Sequence, residues 1–522
     1  MLNNSRIWSR FCCHPGNKST PQASSNGRPN AIKTGVSKEM KATVPSLRRR
    51  LAYQPLCLLI TSLFCLSSKS AAQSPLAVSV TLDSSLQVQL EWTPHSDPAL
   101  YTVQSIDSIT HVWKPIAPAG QWPIAETQYT DTRPSFLPLQ RYYRVLADPL
   151  PKPERARLIE FSRVDSLTLE EVEDWRDQFG ISAFPINSGV TIFHVSYETI
   201  DAAGASTTAS GGVAIPTDFD GPLPLLSYQH RQVTDRENVP SRFSFTTFES
   251  FLPLFIAAQG FVTAAPDYLG QGESPGPHPF LLSQAAITAV LDLLPATQFI
   301  AESEGVEGTN ELYLMGYGQG GHATMATHQA IESDPESPWQ MGASVAMAGP
   351  YDLSGLWLDH LLRDTEHPAP YLLSYLIVAY NDIYAFYQDP NEVFTLDFVN
   401  RILPRINGRT NLEGMDSLFL NRVPSSVLRE PFLNALKADP DHPFRVALRE
   451  NDVYDWAPAA PILLYHCDAD ETIPKTISEK TLDTFFDNGS NFGELIDPIP
   501  SLDHASCDGV SITSALIWLR NL

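Results

Sequence analysis

Cysteine and positive charge are both scarce in this sequence of 522 residues, and each scarcity excludes a class of protein. Only 6 cysteines are present, and four of them precede residue 66, which excludes a scaffold built on many disulfides. Residues 1–72 hold eleven Lys and Arg against one acid, a net charge of +10. Because the whole chain carries −24, residues 73–522 carry −34. A surface this acidic argues against nucleic acid or an anionic membrane as partner.

The N-terminal apolar run, residues 55–66, is too short to span a membrane. Three arginines at 48–50 precede it and small residues at 70–72 follow it, which is the layout of a secretory signal peptide. We expect cleavage near Ala72 and export to the periplasm or the medium, with no stable membrane anchor. An uncleaved anchor is the alternative.

About fifty residues stand before this apolar run, which is more than a signal peptide commonly has. A start at Met40 instead of Met1 would give a leader of ordinary length, residues 40–72. Residues 1–39 are then either a mistaken start or a basic, disordered extension.

Residues 75–150 alternate between apolar and polar positions in short stretches that are separated by turn residues. This pattern predicts a small antiparallel, all-β sandwich. Its candidate aromatic core consists of Trp92, Tyr101, Trp113 and Tyr143. The stretch 90–145 resembles fibronectin type III-like modules of secreted bacterial enzymes, which implies a spacer, or alternatively a module that binds carbohydrate or a partner. Prolines at 149, 151 and 153 predict a stiff linker.

From residue 155 onwards, apolar strand patterns alternate with helix patterns. The first predicted helix is 167–179, with Ser166 as its cap, and the apolar run 223–228 is typical of a buried parallel strand. Such alternation predicts a mostly parallel sheet with helices on both faces. Between residues 351 and 458 it gives way to helical, aromatic-rich segments, which predicts an inserted helical cap.

Residues 311–322 lack the side chain that their pattern requires. An apolar strand leads into Gly316-Tyr-Gly318-Gln-Gly and then a helix, the layout of a nucleophile elbow, whose central residue is serine. Gly318 has no side chain and cannot attack a substrate. Together with Gly321 the same glycines spell the dinucleotide fingerprint G-x-G-x-x-G, but the acids that follow come too early for it. A plain glycine turn is the third interpretation.

Four motifs, in order along residues 155–522, resemble those of secretory lipases of the α/β-hydrolase superfamily. They are Asp267–Pro279, Gly316–His322 except at Gly318, His466–Pro474 and Asp503–Cys507. The resemblance implies an α/β-hydrolase fold with a cap, and hydrolysis of carboxylic esters such as acyl lipids. It implies no cofactor, and no spaced His/Asp cluster outside the motifs suggests a metal site.

The resemblance also assigns roles to individual residues. In chain order, the nucleophile position is Gly318, the acid is Asp470 and the histidine is His504. Asp468 is the competing acid, because it lies in the same loop. If Asp470 and His504 meet, Cys467 and Cys507 converge as well, and we expect a disulfide between them.

The oxyanion hole would use the backbone N–H groups of Gln319 and Arg231. Relatives carry His-Gly-Thr where this chain carries His230-Arg231-Gln232. Arginine lacks the backbone freedom of glycine and adds a cation near the anion site, so we expect either a deformed hole or an arginine that binds a carboxylate.

Two functions fit these residues. The first is a secreted lipase-like carboxylesterase with a small-molecule ester or lipid substrate. The second is a catalytically dead pseudoenzyme that binds an apolar or acyl ligand under its cap. Neither Thr324 nor Tyr317 is placed to replace the missing serine. The cap aromatics suit an acyl chain, although aromatics at such spacing more often form the cap's own core.

Overall fold

The computed structural model describes residues 155–179, 184–219 and 221–522, together with short strands between residues 78 and 149. The predicted leader, residues 1–72, and the linker prolines 151 and 153 lie outside the described residues. The chain separates into two compact units near residue 149.

The first unit contains short strands in two three-stranded sheets. The strands are β1 (Val78–Leu82), β2 (Val88–Trp92), β3 (Ala99–Ile106), β4 (Lys114–Pro115), β5 (Gln128–Asp131) and β6 (Tyr142–Pro149). One sheet has the order β1-β2-β5 and the other β4-β3-β6. Pairing is antiparallel between β1 and β2, β2 and β5, and β3 and β4, and Trp92 is buried. Resemblance of this unit to a fibronectin type III-like module stays a prediction.

The second unit is organised around one nine-stranded sheet. Its strands are β7 (Leu158–Leu167), β8 (Val190–Ile200), β9 (Ser206–Pro216), β10 (Leu223–Gln229), β11 (Val262–Pro266), β12 (Gly308–Tyr317), β13 (Gln340–Met347), β14 (Ile462–Tyr465) and β15 (Glu494–Ile496). The order is β15-β14-β13-β12-β10-β11-β9-β8-β7. Strands β10 to β15 pair in parallel, whereas β7, β8 and β9 pair antiparallel. The predicted, mostly parallel sheet is confirmed.

Helices cover both faces of this sheet, which explains why β11 is buried along its whole length. The helices are α1 (Leu169–Gln178), α2 (Phe248–Ala257), α3 (Ser283–Ser303), α4 (Gln319–Ser333), α5 (Leu358–Leu361), α6 (Leu372–Tyr384), α7 (Leu412–Asp416), α8 (Glu430–Ala438), α9 (Pro443–Arg449), α10 (Thr476–Asp487) and α11 (His504–Arg520). Helices α1, α2 and α11 pack into one core, and α3, α4 and α10 into the other. Helix α3 is long and apolar enough to cross a membrane, but most of it is buried in this core.

The first helix begins later than the sequence predicts. Residues 158–167 form the edge strand β7, so Ser166 lies in a strand and is not a helix cap. Thr168 is the cap: its hydroxyl accepts the N–H of Glu171 at 3.3 Å, and the Glu171 carboxylate accepts the N–H of Thr168 at 2.8 Å. This reciprocal capping box fixes the start of α1.

Between the end of β13 and the start of β14, where the sequence predicts a cap, the chain forms α5 to α9 and shorter helical turns. Most of its aromatic side chains pack within it. Trp357 and Tyr380 are buried, and the Tyr380 hydroxyl donates to the backbone oxygen of Leu281 at 3.0 Å. These aromatics therefore form the core of the cap, and some of them contact the sheet domain.

Candidate active site

Gly318 lies in the tight turn between β12 and α4. Its backbone has φ 58° and ψ −115°, a conformation that residues with side chains rarely adopt. The N–H of Gly318 donates to the backbone oxygen of Met347 at 2.9 Å, and its own oxygen accepts the first bond of α4, from His322 at 3.2 Å. The turn therefore has the sharp strand-to-helix geometry of a nucleophile elbow.

Of the glycines in this turn, Gly318 is the one with room for a side chain. A Cβ on Gly316 would lie 2.4 Å from the Gly320 oxygen, and a Cβ on Gly320 would lie 1.9 Å from the Gln229 oxygen. A Cβ on Gly321 would lie 2.5 Å from the backbone oxygen of Met347. These three glycines are required by close backbone packing, whereas packing does not require glycine at 318.

The side of Gly318 that would carry a side chain faces His504. A Cβ there would lie 3.5 Å from Nε2 and 3.8 Å from Cε1 of the His504 ring. His504 is the first residue of α11, and the Tyr317 hydroxyl donates to its backbone oxygen at 2.7 Å. The nucleophile position and the histidine are therefore held together by both the strand and the helix.

Asp470 is the carboxylate that meets this histidine. His504 Nδ1 donates to Asp470 Oδ2 at 2.6 Å, which leaves Nε2 as the basic nitrogen of the neutral ring. The other oxygen of Asp470 accepts the N–H groups of Thr472 at 3.0 Å and Ile473 at 2.8 Å. Asp468, the competing acid, is exposed and lies 3.6 Å from Lys475 Nζ.

A second histidine contacts the same carboxylate. His466 is fully buried, and its Nε2 lies 3.3 Å from Asp470 Oδ2. Burial acts to raise the pKa of Asp470, but His504 and His466 outweigh it and hold that pKa well below its usual range. Asp470 is therefore ionised at neutral pH. The sequence assigns no role to His466; its position four residues before Asp470 is the signal that was available.

Arg231 binds carboxylates of the protein itself. Its Nε lies 2.7 Å from Glu249 Oε1 and its Nη1 lies 2.8 Å from Asp508 Oδ2. Both carboxylates are buried, and the Tyr228 hydroxyl donates to the other oxygen of Glu249 at 2.7 Å. Burial raises the pKa of Asp508 to about 6, although Arg231 acts to lower it. Of the two alternatives that the sequence leaves open at Arg231, the structure shows contact with carboxylates, and both belong to the protein itself.

Gln319 is the first residue of α4, so its N–H has no acceptor within the helix. Its side chain is fixed, because Nε2 donates to His278 Nε2 at 2.7 Å while His278 Nδ1 donates to the Leu269 oxygen at 2.8 Å. Burial lowers the pKa of His278 to about 4, so the ring is a neutral acceptor. Among the described residues the Gln319 N–H has no backbone acceptor, so it can donate to an oxyanion.

The cap holds the loop that carries the acid. Trp357 Nε1 donates to the Thr472 oxygen at 3.3 Å, and His360 Nε2 donates to the Glu471 oxygen at 2.9 Å. His367 Nε2 also reaches the Thr472 oxygen, at 3.4 Å. Three side chains of the cap thus fix the two residues that follow Asp470.

Cys467 and Cys507 form a disulfide, and both are buried. Each lies three residues from a member of the acid–histidine pair, Cys467 before Asp470 and Cys507 after His504. The bond therefore ties the acid loop to α11 beside the site.

The alternative nucleophiles have other contacts. Thr324 is buried and its hydroxyl donates to the Gln229 side chain at 2.8 Å. Burial raises the pKa of the Tyr317 hydroxyl well above its usual range, and that hydroxyl donates to the backbone oxygen of His504. Within the part of the chain that the structure describes, no group of three or more His, Cys, Asp or Glu side chains could hold a metal ion.

No protein-family model matches this chain, and no curated protein sequence matches it either. Solved structures do match. The rice cell wall degrading esterase LipA from Xanthomonas oryzae is 27% identical with a TM-score of 0.63, and the match covers 71% of this chain and 98% of LipA. A putative hydrolase from Legionella pneumophila is 21% identical with a TM-score of 0.64, over 70% of this chain and 98% of that one.

Candida antarctica lipase A in its closed state is 14% identical with a TM-score of 0.53, over 70% of this chain and 82% of the lipase. The Legionella and Candida proteins, at these identities, support the fold alone. The structural neighbours are esterase and lipase α/β-hydrolases, and the mostly parallel sheet flanked by helices matches theirs.

Proposed function

We propose that this protein is a secreted carboxylic-ester hydrolase of the lipase and esterase type that works without a serine nucleophile. One observation carries the proposal: the hydrogen-bonded pair of Asp470 and His504 faces the Cα of Gly318. A histidine oriented by an ionised carboxylate acts as a general base in ester hydrolysis, and this pair retains the geometry for it.

Oxyanion stabilisation is supported by the other side of the turn. Gln319 begins α4, where the partial positive charge of the helix favours an anion. The salt bridges of Arg231 with Glu249 and Asp508 pair its charge, so the side chain adds no unpaired cation to an oxyanion hole that uses the Arg231 N–H. When one triad member is removed, the oxyanion hole and substrate binding alone still accelerate hydrolysis by about 10³–10⁴-fold over water.

The LipA neighbour supports acyl esters as the substrate class, because it is an esterase. Export is supported by the leader pattern over residues 40–72 and by the Cys467–Cys507 disulfide, since such bonds persist in oxidising compartments.

Gly318 itself favours a second function, the binding of an apolar or acyl ligand without turnover. Glycine supplies no nucleophile, and the hydroxyls of Tyr317 and Thr324 are engaged elsewhere. The two functions differ in one respect: only the first requires the acid–histidine pair to change the rate of ester cleavage.

The test compares the native protein with Asp470→Asn and Asp468→Asn on p-nitrophenyl esters of short and medium chain length. These two aspartates lie in the same loop, but only Asp470 contacts His504. We expect slow hydrolysis whose rate Asp470→Asn lowers and Asp468→Asn leaves unchanged. Equal rates in all three proteins, none above the buffer, together with binding of the ester would favour the second function.

A further inference from the structure

The space beside Gly318 is bounded by His504, the proposed general base. Apart from residues next to it in the chain, only the Nε2 and Cε1 atoms of His504 come within 4 Å of a Cβ on Gly318 among the described atoms. The His504 side chain is 22% exposed, so solvent reaches the ring. The group that glycine lacks relative to serine is a single CH₂OH, which is the size of a small nucleophile.

His504 Nε2 is free to act on such a nucleophile. Its Nδ1 is occupied by Asp470, and among the described residues Nε2 has no hydrogen-bond partner. The N–H of Gln319 lies at the same turn and can bind the oxygen that becomes negative during attack. Base, anion site and nucleophile space therefore meet at one place.

We propose that this site transfers an acyl group directly from an ester to water or a small primary alcohol, with no acyl-enzyme. The proposal rests on the proposed function, since it specifies how the same pair cleaves esters. His504 Nε2 takes the proton of the incoming hydroxyl as its oxygen bonds to the acyl carbon. The bond from that carbon to the leaving oxygen then breaks, and Nε2 returns the proton to that oxygen. One ester and one water give one acid and one alcohol, whereas one ester and methanol give a methyl ester and the alcohol.

Methanol is the most direct probe, because it supplies the atoms that Gly318 lacks relative to serine. The reaction is followed with p-nitrophenyl butyrate by rapid mixing, by intact-protein mass and by analysis of methyl butyrate. For the native protein we expect no burst of p-nitrophenol and no acyl adduct. Methanol should more than double the rate of p-nitrophenol release, and the amount of methyl butyrate should match the additional p-nitrophenol. We expect His504→Ala to remove the methanol-dependent formation of p-nitrophenol and of methyl butyrate.

Two variants at 318 test the space itself. Gly318→Ala places a methyl group 3.5 Å from Nε2, so we expect it to reduce the methanol effect. Gly318→Ser restores a nucleophile, so we expect a burst of one p-nitrophenol per protein whose rate does not depend on methanol.

A burst or acyl adduct in the native protein would overturn the direct transfer while leaving an ester hydrolase. An inactive native protein with an active Gly318→Ser variant would overturn the direct transfer and retain the ester site. If neither protein cleaves the ester, both the inference and the proposed function fail.

Discussion

Arg231 and its two carboxylates offer a stability test of the site's architecture. In Arg231→Met, the buried Glu249 and Asp508 lose their cation but remain close to each other. Removing one partner of a buried ion pair costs about 3–5 kcal/mol, since it leaves uncompensated charge. The Arg231 side chain is 38% exposed whereas the carboxylates are 3% and 5% exposed, so we expect a loss of about 3 kcal/mol, the lower end of that range.

The pH dependence of this loss has a definite sign. Without Arg231, Asp508 loses the cation that acts to lower its pKa, so burial raises that pKa further and the folded variant binds more protons than its unfolded chain. The free energy of unfolding of the variant therefore rises as pH falls. The loss of unfolding free energy relative to the native protein is smaller at about pH 5 than at about pH 8.

The assay is urea unfolding followed by circular dichroism, with Arg242→Met as the matched control. Arg242 pairs with Glu237 and Glu273, whose side chains are 59% and 40% exposed. An exposed pair contributes about 0–1 kcal/mol, so this control should change little. Equal losses in the two variants, or a loss that grows as pH falls, would refute the argument that Arg231 neutralises buried charge.

Three further predictions concern the acid loop and the turn. Replacing both Cys467 and Cys507 by serine should lower the free energy of unfolding by about 4 kcal/mol, because the bond closes a loop of 40 residues. Thiol titration of residues 73–522, unfolded and unreduced, should detect neither cysteine, and finding both free would contradict the bond. Because the pKa of Asp470 is lower in the folded protein than its ordinary value of 3.8, the ionised carboxylate stabilises the fold above that value. This stabilisation is lost progressively as pH falls from 3.8 towards the lowered pKa, so the stability difference between the native protein and Asp470→Asn should shrink over that range. A difference that grows there would contradict it. Gly318→Ala should cost about 1–2 kcal/mol through its positive φ, measured by thermal unfolding, and an increase in stability would show that the turn relaxes.

The sequence predicted the parts of the fold that depend on local pattern. Strand β10 lies where the apolar run 223–228 predicts a buried parallel strand. Strand β7 was missed, because it is an exposed edge strand without alternation and its end merges with the pattern of α1. Capping by Thr168 follows from a Thr-x-x-Glu spacing that was visible in the sequence.

The sequence predicted only those site residues that lie in recognisable motifs. Asp470 and His504 were placed by resemblance, and the structure brings them together. The partners of Arg231 were not foreseeable, since Asp508 is 277 residues away in the chain and no local pattern joins them. The contacts of His360 and His367 with the acid loop likewise depend on how the cap packs on the sheet domain.

The central claim is that an otherwise complete hydrolase site lacks one side chain, at position 318. Gly318→Ser tests it directly, because the turn leaves room for that side chain and His504 Nε2 lies 3.5 Å from its Cβ. We expect the variant to bind a fluorophosphonate covalently and to cleave p-nitrophenyl butyrate at least about 10²-fold faster than the native protein, with both gains lost in Gly318→Ser, His504→Ala. A folded Gly318→Ser protein that neither labels nor gains activity would contradict the account.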